Sequence, residues 1–361
     1  MAADPLTPLL HTGLVDATPD PGAAGDWTEP GAYEVSPGVH RLPLPLPNDG
    51  LRAVNVYAID APDGLMLIDS GWAIPAAREA LDTALDALGR SLADVRQFLV
   101  THVHRDHYTQ AIYVRREFGT KVSLGAGDRG SLDIVMTPAR APLKEQLQHL
   151  RLLGAGELVD KLVAGLGSDH DPVKAGWELP DIWLHGGEPI EAGDRTLEAV
   201  HTPGHTQGHM VFHDTGNSLL FAGDHVLPTI TPSIGFEPVL STNPLGDFLA
   251  SLAVVRGRPD ARLLPAHGPV TDSVHARVDQ LVAHHEHRLE QTLGAIDRGA
   301  VSAYDVAGQL TWTRRERKLD ELDPFNQMLA IAETAAHLEL LAAQGRVSHD
   351  DVDGLRCYRA T

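Results

Sequence analysis

The fold is decided by the stretch Thr101-His102-Val103-His104-Arg105-Asp106-His107, which follows the short apolar run Phe98-Leu99-Val100. The apolar run predicts a buried strand, so three imidazoles and one carboxylate lie at a strand's carboxyl end, where α/β proteins gather their ligands. Because His102 and His104 are two residues apart, an extended segment projects both side chains to one side. The rest of the stretch lies past the turn and can face a second, neighbouring metal.

Three later segments share the same design, in which an apolar run is followed by a loop that carries a histidine or an aspartate. Taken singly each is weak, since Asp224 alone would more often be a cap or turn residue. Four such segments in one chain are hard to obtain by chance. The three are Val200-His201-Thr202-Pro203-Gly204-His205, Leu219-Leu220-Phe221-Ala222-Gly223-Asp224 and Leu263-Leu264-Pro265-Ala266-His267-Gly268.

This order of motifs resembles the metallo-β-lactamase-fold hydrolases over roughly residues 33 to 270. The resemblance implies an αβ/βα sandwich, with the site at the edge where the two sheets meet. Position by position, it implies two metal sites that share a bridging carboxylate. One metal would be held by His102, His104 and His205, the other by Asp106, His107 and His267, and Asp224 would bridge both.

The resemblance also assigns a supporting residue and a branch of the family. Asp69, in Ile68-Asp69-Ser70-Gly71, matches the family's aspartate that supports the ligand loop. Cys357 is the only cysteine and is too far along the chain to replace Asp224 as a thiolate ligand. The set therefore resembles the glyoxalase-II-like thioesterases, lactonases and nucleases. Zinc is the favoured metal, and iron or manganese remain open.

This ligand set implies a hydrolase in which a metal-bridging hydroxide attacks a carbonyl or phosphoryl centre. Asp106 is the candidate catalytic residue, because it is placed to orient the nucleophile and can shuttle a proton. Tyr108 and His225 lie next to ligands, and Met136 lies in the region that covers the site in relatives. These three are candidate substrate contacts, with simple packing as the alternative.

The charge balance of the chain indicates which classes of partner it can bind. The chain has 29 Lys+Arg and 49 Asp+Glu, a formal net charge of −20, which disfavours binding to nucleic acid or to an anionic membrane. Residues 271–361 resemble a small winged-helix-like domain, on Ala335-Ala336-His337-Leu338-Glu339-Leu340-Leu341 and Gly345-Arg346-Val347. They carry 10 basic and 15 acidic residues, and only 314–318 form a basic cluster. We therefore expect a small-molecule substrate and no nucleic acid.

Three parts are expected: an N-terminal arm (residues 1–32), a catalytic domain (33–270) with a helical insertion at about 131–181, and a C-terminal domain (271–361). The insertion is a candidate lid, and Leu227 to Pro238, here called the wall segment, is a second candidate wall. The start of the chain lacks a secretory signal, and no run approaches the roughly 18 apolar residues of a membrane span. We expect a cytoplasmic protein that contacts no membrane, and resemblance leaves a homo-oligomer open.

Periodicity and turn residues predict the elements. The expected strands are Val35–Leu44, Ala53–Asp60, Leu65–Asp69, Phe98–Val100, Val122–Leu124, Glu191–Val200, Met210–His213, Ser218–Ala222 and Leu263–Leu264; the expected helices are Pro75–Leu88, Gln110–Phe118, Val274–Ile296, Ala303–Leu310 and Pro324–Ala343; Val347–Tyr358 is expected to form a hairpin.

Two weaker motifs have simpler interpretations. Residues 125–130 formally fit Gly-x-Gly-x-x-Gly, but they lack a well-placed acidic partner and are followed by poor helix-start chemistry, so a βα loop is favoured over a dinucleotide site. His284-His285-Glu286-His287 lies in a helical pattern, and a solvated helix face is favoured over a metal site.

The leading hypothesis is a dinuclear hydrolase of a small thioester, ester or lactone. Its glutathione-specific form is disfavoured, because the family's basic glutathione-contacting positions have no match near the C-terminus. The alternatives are a metal-dependent ribonuclease or phosphodiesterase, a mononuclear-iron persulfide dioxygenase and a winged-helix-linked binding protein.

Overall fold

Two β-sheets pack face to face, and helices cover the outer face of each, as the four-layer αβ/βα sandwich predicts. The computed structural model describes residues 18–19, 25–47, 50–61, 63–165, 173–313 and 315–361. Most of the predicted N-terminal arm, together with Pro62, Leu166 and Arg314, lies outside them.

The first sheet has eight strands in sequence order. It is antiparallel from its second to its fifth strand and parallel from its fifth to its eighth, and its first two strands also pair in parallel. Its strands are β1 Thr18–Pro19, β2 Tyr33–Ser36, β3 Val39–Pro45, β4 Ala53–Ala61, β5 Gly64–Ile68, β6 Val95–Leu99, β7 Lys121–Gly125 and β8 Ile182–Leu184. Strand β5 is buried along its whole length, as expected of a parallel strand covered on both faces.

The second sheet has five strands in the order β13-β12-β11-β10-β9. They are β9 Pro189–Ala192, β10 Arg195–His201, β11 Met210–Asp214, β12 Leu219–Gly223 and β13 Arg262–Pro265. Tyr57 of β4 and Phe221 of β12 pack edge to face, with ring centroids 5.4 Å apart, in the apolar layer between the sheets.

Helices form the outer layers and the C-terminal part. The described helices are α1 Pro75–Ala87, α2 Arg105–Phe118, α3 Arg129–Val135, α4 Lys144–Leu152, α5 Gly156–Gly165, α6 Pro244–Arg256, α7 Val274–Asp297, α8 Ala303–Gln309 and α9 Pro324–Ala343, and the chain ends in the hairpin β14 Val347–Val352 and β15 Leu355–Ala360. Helices α1 and α2 cover the first sheet, whereas α4 to α9 share one core with the second sheet. No described helix is long and apolar enough to cross a membrane.

Four sequence predictions are wrong in detail. The strands predicted over Val35–Leu44 and Glu191–Val200 are each two strands, because Gly38 and Gly193 adopt φ of +70° and turn the chain. Helix α2 begins at Arg105 rather than at Gln110. Helix α6 was not predicted, although Pro244 occupies its first turn and the Asn243 side chain caps it by accepting from Gly246 N.

The solvated helix face predicted at residues 284–287 is wrong for one residue, since His285 is fully buried. His337 Nδ1–H donates to the carbonyl of Glu333 (2.8 Å), so its Nε2 must accept. His285 Nδ1–H therefore donates to His337 Nε2, 3.2 Å away, and joins α7 to α9. The pair is a polar contact inside the core that α7 and α9 share.

This imidazole pair should make stability depend on pH. Burial, followed by the neighbouring His337, lowers the pKa of His285 to about 2, and burial lowers the pKa of His337 to about 4. In the unfolded chain both titrate near 6.5, so between pH 6.5 and 4 the unfolded state binds more protons. The free energy of unfolding therefore falls as the pH falls, by up to about 1.4 kcal/mol per pH unit for each imidazole.

The measurement is the midpoint of thermal unfolding between pH 7.5 and 4.5. The double variant His285→Leu/His337→Leu should show a flatter pH dependence than the unchanged chain, whereas His287→Ala, on the exposed side of α7, should not. Equal slopes in all three proteins would contradict the role given to the pair.

Candidate metal centre

The loop between β6 and α2, together with the first turn of α2, carries four of the predicted site residues. His102 and His104 lie in the loop, with His104 at the N-cap of α2 in an extended conformation, at φ −65° and ψ 152°. Asp106 and His107 lie in the first turn of the helix and leave the loop in another direction. The change from extended to helical backbone divides the motif between two neighbouring clusters.

The first cluster consists of His102, His104 and His205, whose ligand atoms lie within 4.8 Å of one another. His104 Nδ1 is 3.0 Å from His102 Nε2 and 3.0 Å from His205 Nε2. His205 Nδ1–H donates to the carbonyl of Ser233 (2.7 Å), so its Nε2 presents a lone pair to the cluster.

The second cluster consists of Asp106, His107 and His267, also within 4.8 Å. Asp106 Oδ2 lies 3.4 Å from His267 Nε2 and 3.6 Å from His107 Nε2. His267 Nδ1–H donates to the carbonyl of Ala53 (2.8 Å), which leaves its Nε2 to face the cluster.

Asp224 lies between the two clusters, with one oxygen toward each. Its Oδ2 is 3.5 Å from His205 Nε2, whereas its Oδ1 is 3.4 Å from His267 Nε2 and 3.7 Å from His107 Nε2. Asp224 Oδ1 and His267 Nε2 are buried and have no hydrogen-bond partner among the described residues. Buried lone pairs that converge without a donor fit divalent cations, which accept imidazole nitrogen and carboxylate oxygen.

Asp69 forms hydrogen bonds that position the first ligand loop. Its Oδ1 accepts from Thr101 N (2.8 Å), and its Oδ2 accepts from His107 Nδ1–H (2.9 Å). The second bond fixes the ring of His107 with Nε2 toward Asp106 and Asp224. Asp69 adopts φ of +61°, which lets the backbone turn directly after β5.

The two clusters differ in charge state. Burial, and then the adjacent His205, lower the pKa of His104 to about 3, so it is a neutral imidazole. Burial also lowers the pKa of His107, but Asp69, Asp106 and Asp224 outweigh it and raise that pKa to about 10. A cation bound at the second cluster must therefore displace a proton from His107.

Asp128 joins the first two ligand loops, and the sequence analysis missed it. Its carboxylate accepts from Val103 N (2.9 Å) in the first loop and from Gly208 N (2.6 Å) in the second. Burial raises its pKa to about 7. The sequence analysis treated residues 125–130 only as a glycine pattern and gave Asp128 no role.

The glycines of the same pattern allow two backbone segments to pack closely. A Cβ on Gly125 would lie 1.8 Å from the carbonyl oxygen of Gly208, and one on Gly127 would lie 2.3 Å from that of Gln207. A 3₁₀ turn at Ala126–Asp128 and then α3 begin within the pattern, and α3 starts without a side-chain cap, as the poor helix-start chemistry indicates. The glycines let the backbones of the two loops touch.

Three other side chains that sequence reasoning missed contact the ligand segments. Asp224 N donates to His209 Nε2 (3.1 Å), so His209 Nδ1–H donates to Thr202 Oγ1 (3.0 Å). Asn55 Nδ2 donates to the carbonyls of Pro265 and Gly268, both at 2.9 Å, and so fixes the loop of His267.

Glu237 is the third missed side chain and lies in the wall segment. Its Oε1 lies 3.7 Å from His104 Nε2, and its Oε2 accepts from Ser131 Oγ (2.9 Å). His209 could have been found from the repeated Gly-His in 204–209, but nothing near Glu237 in the sequence marks it.

The three predicted substrate contacts lie in packed surroundings. Tyr108 is fully buried, stacks on Trp177 with ring centroids 6.2 Å apart, and donates to the carbonyl of Glu178 (2.6 Å). His225 is fully buried against Phe248, at 5.1 Å between ring centroids. Met136 is partly buried against the core under the first sheet. These contacts favour packing over substrate contact.

A further group of possible ligands, His284, His285 and Glu333, lies between α7 and α9, with ligand atoms within 4.8 Å. Arg288 lies near enough to lower the pKa of His284 and His285, after burial. The positive charge of the Arg288 guanidinium disfavours a metal ion in this group. A solvated helix face therefore remains the favoured interpretation of His284.

The glycine pattern gives a matched pair of variants. Gly125→Ala places a methyl group against backbone at an ordinary φ of −63°, so we expect the loops to separate and stability to fall by more than about 2 kcal/mol. Gly130→Ala meets only Val239, 3.6 Å away, and should be neutral or stabilising by up to about 1 kcal/mol. Denaturant unfolding measures both, and equal losses would refute the packing account.

Known proteins resemble this chain over most of its length. Residues 49–267 match the metallo-beta-lactamase superfamily. The chain is 25% identical over 326 residues to the probable metallo-hydrolase YqjP of Bacillus subtilis (strain 168), covering 85% of this chain and 92% of that protein. It is 24% identical over 322 residues to the atrochrysone carboxyl ACP thioesterase dmxR1 of Cryptosporiopsis sp. (strain 8999), covering 85% of this chain and 80% of that protein.

A solved structure extends the likeness beyond the catalytic layers. A beta-lactamase domain protein from Burkholderia ambifaria superposes with a TM-score of 0.76 at 27% identity, covering 91% of this chain and 94% of that one. The family match spans more than half of the chain and includes every predicted ligand. The chain therefore belongs to the metallo-beta-lactamase superfamily and is a hydrolase of that fold.

Proposed function

We propose that this protein is a dinuclear metal-dependent hydrolase of a small thioester, ester or lactone. One observation carries the proposal: the two oxygens of Asp224 face two separate clusters, toward His205 on one side and toward His107 and His267 on the other. A carboxylate in that position can bind two cations at once.

In this proposal each cluster holds one divalent metal. The ligands are His102, His104 and His205 for the first metal and Asp106, His107 and His267 for the second, with Asp224 shared. Nitrogen and carboxylate ligands favour zinc, and manganese or iron remain compatible with them. Metal ions bound there would supply Lewis-acid chemistry, which would make a water more acidic and polarise the carbonyl group of the substrate.

The protein's own contribution is orientation. Asp69, Ser233 and Ala53 accept the Nδ1 protons of His107, His205 and His267, so that each ring turns its Nε2 to the inner side. Asp106 Oδ2, near both His107 and His267, is the group we assign to orienting the nucleophile and accepting its proton.

Two observations favour acyl over phosphoryl substrates. The formal net charge of −20 opposes a polyanionic substrate, and one relative, matched over 80% of its own length, is named as an atrochrysone carboxyl ACP thioesterase. Both support hydrolysis of a small acyl compound.

The metal assignment predicts a stepwise loss of metal. We expect the unchanged protein to bind about two zinc ions per chain, by the two-site argument. His102→Ala should lose the first metal and Asp224→Ala should weaken both, because Asp224 presents one oxygen to each cluster. Elemental analysis after dialysis measures the metal, and hydrolysis should be abolished in both variants.

His287→Ala, which removes an exposed imidazole on α7, is the control and should keep metal and activity. Full hydrolytic activity in His102→Ala protein that is free of metal would contradict the metal assignment.

A substrate panel separates the reaction classes. The zinc-loaded protein should hydrolyse acyl thioesters, esters or lactones, and should leave bis-p-nitrophenyl phosphate and single-stranded RNA intact. A persulfide assayed with the iron-loaded protein should consume no oxygen. Cleavage of RNA without turnover of any acyl substrate would reverse this ranking, and oxygen consumption would favour the dioxygenase.

A further inference from the structure

Four of the five candidate histidine ligands have a hydrogen-bond partner on the ring nitrogen that faces away from the clusters. That nitrogen is Nδ1 in each of the four, and for His102 the partner is Thr101 Oγ1, at 3.0 Å. The other three rings, those of His107, His205 and His267, bond to Asp69, Ser233 and Ala53. Bonds of this kind orient a ligand ring, and they are the rule around histidines that bind metals.

His104 differs from these four, because its ring is turned the other way. Its Nδ1 lies 3.0 Å from His102 Nε2 and 3.0 Å from His205 Nε2, so Nδ1 is the nitrogen that faces the first cluster. Nδ1 can offer a lone pair to a metal only when the ring proton is on Nε2. The ligand role of His104 is therefore favoured by an acceptor on the outer side of its ring, beside Nε2.

Glu237 of the wall segment places a carboxyl oxygen on that outer side. Its Oε1 lies 3.7 Å from His104 Nε2. This oxygen is buried, yet no donor in the described part of the chain forms a hydrogen bond with it, whereas buried oxygens usually have a partner. The gap exceeds hydrogen-bond length by about half an ångström, which a small rotation of either side chain can close.

The Glu237 side chain is held in this place by its other contacts. Its Oε2 accepts from Ser131 Oγ (2.9 Å) of α3, and the backbone N–H of Gln207 also contacts the carboxyl group. The Glu237 side chain is 5% exposed, whereas that of His104 is 26% exposed. The carboxyl group is thus anchored from α3 and from the second ligand loop, with Oε1 left for the ring of His104.

The charges around the two clusters give a carboxyl group here a purpose. The second cluster includes the carboxylate of Asp106, and a further carboxylate, Asp69, bonds to the outer nitrogen of His107. The first cluster consists of three imidazoles and shares Asp224 with the second. A carboxylate behind an imidazole raises the basicity of the ring, and hence its affinity for a cation. Glu237 can give the first cluster the support that Asp69 gives to the second.

We propose that Glu237 is a positioning residue for the first metal: its Oε1 accepts from His104 Nε2–H and so keeps Nδ1 of that ring free to bind the cation. The proposal rests on the two-metal centre proposed above and adds to it a residue of the wall segment. Because Glu237 contacts a ligand of the first cluster, its loss should weaken the first metal and spare the second.

The test measures zinc affinity at one site at a time, by competition with a chelator. His267→Ala removes a ligand of the second cluster and leaves the first site to be measured, and His102→Ala does the reverse. Glu237→Met keeps the length of the side chain and removes the acceptor. In the His267→Ala background it should weaken zinc binding about 10-fold, the lower end of the usual effect, because water can reach the partly exposed His104 ring. In the His102→Ala background it should change zinc binding by less than about 2-fold.

Two further variants separate positioning from packing. Ser131→Ala removes the bond to Glu237 Oε2 but leaves Oε1, so the affinity of the first site should stay within about 3-fold of its original value. Glu157→Met, at an exposed position of α5, is the matched control and should change neither site. If Ser131→Ala weakens the first site as much as Glu237→Met does, or if Glu237→Met weakens both sites equally, Glu237 acts through packing and the proposal is wrong.

The tautomer of His104 gives a second measurement, which does not depend on the single-site variants. NMR spectra of the zinc-loaded protein with isotope-labelled histidine should show His104 with its proton on Nε2, and the other four candidate ligands with theirs on Nδ1. Glu237→Met should move this Nε2–H resonance upfield and speed its exchange with water, because the acceptor is lost. A packing role would leave the resonance in place, and that result would overturn the proposal.

Failure of the hydrolytic function is recognised separately, because none of these measurements is an activity. A protein that binds zinc at both sites but cleaves no acyl substrate would contradict the proposed function, and the zinc affinities would still decide the role of Glu237. A protein that cleaves acyl substrates while Glu237→Met keeps full affinity at the first site would contradict the positioning role. If the unchanged protein binds neither zinc nor another divalent metal, both proposals fail.

Discussion

The hydrogen bonds behind the imidazole rings are the interaction on which this site depends. In His107, His205 and His267, Nδ1–H donates to an oxygen of Asp69, Ser233 and Ala53. Each bond holds the ring in one orientation and turns Nε2 inward, so that the three ring nitrogens converge on Asp224. Because two of these acceptors lie beside β4 and β5, the sheet itself sets the geometry of the site.

A second constraint keeps the ligand loops in register. The loop of His102 and the loop of His205 come from different sheets, and Asp128 bonds both through Val103 N and Gly208 N. The bond lengths are attainable only because Gly125 and Gly208 have no side chains to separate the two backbones. The edge where the sheets meet is thus held by backbone contact as well as by the ligands.

The family resemblance of the motifs implied the sandwich. The ligand segments themselves could be placed together for a simple reason: each follows an apolar strand, and strands place their ends along a sheet edge. It did not identify Asp128, Glu237 or Asn55, because their partners are backbone groups or rings far away in the chain. The pattern at 284–287 misled for a related reason, since His285 is buried only by its contact with His337 on α9. Local sequence patterns predict where the strands lie. Pairings between side chains that are distant in the chain form only when the layers pack, so local patterns do not predict them.

The same division separates the candidate ligands from the helices around them. The ligands belong to strand ends of the two sheets and to the turns that follow, so their arrangement follows from the fold shared across the family. Helices α4 and α9 share one core with the second sheet. The acceptors that orient the rings, Asp69, Ser233 and Ala53, lie outside both the insertion and the C-terminal part. Those helices can therefore change in sequence while the bonds that hold His107, His205 and His267 remain.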